Sequence, residues 1–507
     1  MTGDIAGGST DMEGRRSETH VSRGARRLHF GSALAAACIP TLAHAHAWNI
    51  PYYLPVPLWL YAYAATGTLI ISFMILALAP ANRLPGSGSR SNPRKKSLRI
   101  PAAMLHAGQF ASALFVLLLI VSGLIGTQNP FLNISMSGFW IWFYLGSIYI
   151  STIIGNLYAF ANPIALLLHI AAQYFPSLEH GRYRYPERLA SYPALVVYAV
   201  LIALELFGAG KPRDVSLFLI GYIVYAAAGA FYFGRERWLL HFDTFGMLCR
   251  LCAKLSPIRW SVSSKHAVTI ELRNPIADLS QEAPSHISVV AFLSFMLAST
   301  AYDGLRDTAT WNMFFWRGIY PHLIALFPAL GKSYALSGDM ILAWQWLTFA
   351  LMGVAYYVLF RGFCALEAIA CRSSFNGKDF ARQFCFALLP IALFYNVCHY
   401  FTLFLDQGRR VVMLASDPLG LGWHLFSVSF AQTPDSPAQS LINVAYIWHV
   451  QVILILIGHI LSVYVTHAIS ARRRGLAETM IVSQLPLLVL TIVLTISGLW
   501  ILSLPLA

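Results

Sequence analysis

Apolar residues run along this chain in blocks long enough to cross a bilayer as helices, separated by polar links, almost to the C-terminus. Ten blocks thread in turn: 58–78, 100–125, 138–160, 189–207, 217–233, 286–301, 340–360, 384–405, 443–467 and 477–504. Lipid offers backbone groups no hydrogen bonds, so such blocks must close their bonds internally. The pattern predicts an all-α polytopic membrane bundle of about ten transmembrane helices. An aromatic-rich stretch, 311–336, reads as interfacial or re-entrant, and 406–441 reads as a loop. No internal repeat is evident.

The N-terminus breaks the pattern. Residues 1–29 are polar and carry Arg15, Arg16, Arg23, Arg26 and Arg27; the apolar run 30–42 that follows is too short to span and ends in Ala43-His44-Ala45. That is the signature of a signal peptide over 1–45, leaving 46–507 as a single transmembrane domain with His46 as its first residue. Pro51, Pro55 and Pro57 then form a stiff link that keeps His46 near the outer face.

Charge sets the orientation. The basic links 90–99, 182–188, 235–265, 361–382 and 472–474 all fall on one side of the threading, as the positive-inside rule requires of the cytosolic side. The opposite ends face the periplasm of a bacterial inner membrane. With 57% hydrophobic and 11% charged residues, the chain reads as one membrane domain in a lipid bilayer and not as several soluble ones. Its net charge of +13 is accounted for by those links, and its basic residues are not interleaved with aromatics, so no nucleic-acid partner is expected. Seven cysteines show no disulfide framework, and the Cys249–Cys252 CxxC has no second pair at zinc-ribbon spacing.

Candidate chemistry enters with the histidines. The block 443–467 carries His449, His459 and His467, and imidazoles in hydrocarbon usually face a bundle interior, a partner or a metal. Helical rise puts His399 about 8 Å below the outer end of its span and His449 about 10 Å below the start of the next. These two histidines therefore lie at similar depth on consecutive antiparallel helices. His459 is about 15 Å from His449 along one helix, too far to share an ion. The candidate metal site is His399 with His449, completed from His46, Asp303 and Asp406. His46 would offer a free amine and an imidazole, and imidazole donors suit zinc and copper, so a divalent metal ion is the expected cofactor. Structural alternatives stay open: a membrane histidine can simply bond a neighbouring helix, aspartates at helix ends cap or are solvated, and Tyr446 either donates to His449 or packs.

Four stretches, AHAHAWNIPYYLPVPLWLYAYAA (43–65), AYDGL (301–305), HYFTLFLDQG with SDPLGLGWHLF (within 399–426) and IWHVQVILILIGH (447–459), together resemble a bacterial polytopic family of fenitrothion hydrolases. The resemblance implies a phosphoric triester hydrolase that acts on organophosphorus substrates such as fenitrothion and methyl parathion and releases a nitrophenol. It brings no catalytic assignment with it. The chemistry needs a hydroxide at neutral pH and an electrophile for phosphorus, which a metal-bound water supplies. Asp303 or Asp406 would then accept the proton. Trp48, Tyr52, Tyr53, Trp311, Phe314, Phe315 and Trp316 could receive the aryl group, or equally form an interfacial belt. No GxSxG elbow is present to support a serine esterase. Two other classes remain: a copper- or haem-binding membrane oxidoreductase, and a transporter in which the intramembrane His and Asp relay protons.

Overall fold

Each apolar block of the chain folds as helix, as the hydrogen-bonding demand of hydrocarbon requires. The structure is a computed structural model that describes residues 56–78, 94–99, 102–262, 267–371, 377–426, 444–472 and 480–504. The expected signal peptide, His46, Trp48, Tyr52 and Tyr53 lie outside the described residues. Among the described residues, eight helices are long and apolar enough to cross a membrane, or nine if the bent pair Gly377–Gln383 and Cys385–His399 is one span. The tenth expected span, Tyr192–Phe207, is apolar but only 16 residues long.

The main helices are α1 (Leu58–Leu78), α2 (Ala102–Ile125), α3 (Ile134–Ile154), α4 (Tyr192–Phe207), α5 (Pro212–Phe233), α6 (Ser288–Arg306), α7 (Tyr334–Ala370), α8 (Leu388–His399), α9 (Phe401–Leu414), α10 (Val444–Ala471) and α11 (Met480–Ser503). Within α3 the stretch Ser137–Gly146 is π-helical, and its wider turns leave Phe139, Phe143 and Tyr144 buried in an aromatic cluster with Phe245. Buried side chains from most of these helices form one continuous apolar core. α8 packs against both α10 and α6 near its centre. Gly458 permits the close α8–α10 approach: a Cβ there would stand 2.7 Å from Phe394 Cβ and 2.9 Å from the Pro390 carbonyl. Gln451 Nε2 then donates to the Cys398 carbonyl across the same crossing at 3.1 Å.

Two expectations need correction. The block 384–405 does not run straight through: α8 ends at His399, Tyr400 leaves helical geometry (φ −91°, ψ 9°), and α9 starts at Phe401. The expected loop 406–441 accordingly opens inside a helix, because Asp406, Arg409 and Arg410 make α9 too polar to continue a span while its apolar face packs on the π-helical part of α3. Trp142 Nε1 donates to the Gly408 carbonyl there at 3.1 Å.

A small sheet was not expected. β1 (Arg94–Arg99), β2 (Ile258–Val262) and β3 (Ala267–Leu272) pair antiparallel in the order β1-β3-β2. β1 lies in the basic link after α1, and β2 and β3 lie in and beside the basic link 235–265. Their pairing puts both links at one end of the bundle, which is the arrangement the charge pattern requires. Arg273 sits behind the sheet, donating to the Ala253 and Ser256 carbonyls and pairing with Asp278 at 3.1 Å.

Candidate functional site

The site lies where the ends of α6 and α8 pack together, just before the break at Tyr400. Asp303, 5% exposed, lies in the last turn of α6, where the helix dipole disfavours a negative charge. A carboxylate buried there needs hydrogen-bond donors. His399 Nε2 lies 2.8 Å from Asp303 Oδ2, and the Tyr400 hydroxyl donates to the same oxygen at 2.9 Å. The His399 side chain keeps 15% exposure, so its ring is reachable where Asp303 is not.

Asp303, acting as acceptor, fixes the proton of His399 on Nε2 and leaves Nδ1 as the ring's lone-pair nitrogen. Only glycine at 304 lets α6 come this close to the ring: a Cβ there would stand 3.5 Å from His399 Nδ1 and Cε1 and 2.9 Å from Ile501 Cγ2. One helical turn further along α6 and α8, a second polar layer repeats the crossing. Tyr149 donates to Asn396 Oδ1 at 3.1 Å, and Asn396 Nδ2 reaches Thr300 Oγ1 at 3.4 Å.

Glu205, near the end of α4, joins the cluster from a third helix; its carboxyl interacts with Asp303 and with the Tyr400 hydroxyl. Sequence reasoning missed it. The signal was present, because Glu205 is the one acidic residue in the apolar block 189–207. Arg306, one turn beyond Asp303, is committed elsewhere: its guanidinium bonds the Leu206 carbonyl and Asp307 and lies 5.4 Å from the centre of the Phe207 ring.

The other expected residues are placed differently. His449 is exposed, with its ring 6.2 Å from that of Tyr61 on α1, while Gln451 of α10 bonds the Cys398 carbonyl of α8. His399 and His449 thus have different neighbours. Asp406 sits within α9, where Gln407 Nε2 donates to it at 2.8 Å and Arg410 stands 3.9 Å away. Among the described residues no group of three or more His, Cys, Asp and Glu side chains is arranged to hold a metal ion. His459 bonds the Ile455 carbonyl of its own helix at 2.7 Å, and His467 bonds Gln484 of α11 at 3.0 Å, each in a structural role. Tyr446 is 66% exposed.

Of the aromatic residues considered for an aryl group, Trp311 stacks with Phe314 and with Trp344 of α7, at centroid distances of 5.9 Å and 5.8 Å. This cluster adjoins Tyr302, the residue before Asp303, at 6.4 Å. Compared with protein-family models, curated proteins and solved structures, the chain matches none.

Proposed function

We propose that the chain is a membrane-embedded hydrolase of neutral, lipophilic phosphoric triesters, with His399 as general base and Asp303 as the residue that orients it. The observation that supports this reading is the buried Asp303 carboxylate held on His399 Nε2 at 2.8 Å, with the ring still 15% exposed. A water that reaches Nδ1 gives its proton to the ring, and its oxygen bonds to phosphorus. The P–O bond to the aryl group then breaks, and the nitrophenolate leaves with the electron pair. Asp303 stabilises the imidazolium as it forms, because the carboxylate is desolvated and already bonded to the ring. A nitrophenolate needs no acid to depart, so one base suffices.

The substrate class comes from the family resemblance, and the surroundings suit it. A neutral triester partitions into lipid, and the Trp311–Phe314–Trp344 cluster offers an aryl group a face beside the site. No step here runs through a metal ion. The basic links support a reading in which the site end of the bundle faces the periplasm.

The transporter reading draws on the same intramembrane carboxylates, so the test must separate the two. Purified protein in proteoliposomes should release nitrophenol from methyl parathion, and His399→Ala should lower kcat/KM by about 10³-fold. Triester that crosses faster than in protein-free vesicles with no nitrophenol released, or equal turnover by the variant, would overturn the hydrolase reading.

A further inference from the structure

Glu205 has no part in the mechanism above, yet it stands where its charge decides the geometry of the pair. Tyr400 has one O–H, and it is directed at Asp303 Oδ2 at 2.9 Å. Toward Glu205, which interacts with the same hydroxyl, Tyr400 can therefore offer only oxygen lone pairs. A Glu205 carboxylate would face those lone pairs and the Asp303 carboxylate together. Its Oε2 is also sealed from solvent with no hydrogen-bond partner among the described residues. A bare anionic oxygen there is costly, whereas a carboxylic acid donates and is satisfied.

The groups that interact with Glu205 are Asp303 and Arg306 from α6, Tyr400 beyond α8, Tyr144 and Tyr149 from α3, and Tyr198 from its own helix. The single cation among them is already bonded to the Leu206 carbonyl and Asp307. We propose that Glu205 and Asp303 hold one proton between them through Tyr400, with Glu205 as the protonated partner. Glu205–H donates to Tyr400, Tyr400 donates to Asp303, and Asp303 stays ionised opposite His399. Glu205 is thus a positioning residue that fixes the direction of the Tyr400 hydroxyl. Ionisation of Glu205 would pull that hydroxyl away from Asp303 and loosen the orientation of His399.

The inference rests on the hydrolase reading only for its effect on rate, so its first test does not use turnover. Infrared difference spectroscopy of purified full-length protein in H₂O and D₂O reads the carbonyl stretch of protonated carboxyl groups. At neutral pH the wild type should show such a band, and Glu205→Gln should remove one component of it. Tyr400→Phe keeps the ring but removes the acceptor, and should shift that component to higher frequency. A spectrum unchanged by Glu205→Gln, or a component unmoved in Tyr400→Phe, would overturn the proposal whether or not the protein hydrolyses triesters. On the kinetic side, Glu205→Ala should lose more activity than Glu205→Gln, because the amide still donates to Tyr400. Equal losses in the two would contradict the positioning role.

Discussion

At the residue scale the account turns on what each buried polar side chain bonds. Asp303 and His399 were both legible as candidates, because an acid and an imidazole in apolar helices must find partners. Both fell in one candidate site, but their direct hydrogen bond was not legible, and nothing in HYFTLFL marks a helix that stops and restarts at Tyr400. His449 shows what helical rise leaves out. Depth along a helix follows from the rise, but direction around the axis does not: Gln451 bonds across to α8, while His449 lies exposed beside Tyr61. His449→Ala therefore separates the base pair from a cation bridging the two helices. Nitrophenol release by the variant should stay within about twofold of wild type, the range of a surface substitution. A loss as deep as that of His399→Ala would put the cation back between the helices.

At the element scale the apolar blocks predicted every main span, and the errors lie where polar residues interrupt them. The second half of α9 was read as loop because Asp406, Arg409 and Arg410 end the apolar run, although Phe404 and Leu405 precede them and Val411 and Val412 follow on an amphipathic helix. The small sheet escaped notice because its strands lie in links read only for charge. Another polar anchor, Asp243, ties three elements together. It accepts from Tyr222 and Asn162 at 2.6 Å each and caps the helix Thr244–Cys252 through Gly246 N at 3.0 Å. Burial pushes its carboxyl above the ordinary carboxylate range, against the pull of those hydrogen bonds. The folded protein therefore holds this proton more readily than the unfolded chain, so the contribution of Asp243 to stability improves as pH falls through its folded value toward the ordinary range. Thermal unfolding in detergent across mildly acidic pH should show this gain in wild type and a smaller one in Asp243→Asn. Identical pH dependence in the two would show that Asp243 does not titrate in this way.

At the scale of the whole molecule, a multi-pass helical membrane protein was legible from hydropathy alone, because few other folds bury such blocks. The pairing of β1 with β3 adds a constraint that hydropathy lacks, by holding two basic links at the same end. If that end is cytosolic, Ser97→Cys should resist a membrane-impermeant thiol reagent in intact cells, and His424→Cys, at an exposed position beyond α9, should react; the reverse pattern would invert the bundle. The central claim, that Asp303 and His399 act as one unit, is tested most directly by a double-mutant cycle on kcat/KM for methyl parathion. Because Asp303 acts through His399, Asp303→Asn combined with His399→Ala should be about as slow as His399→Ala alone. Losses that multiply would show two independent roles and contradict the pair.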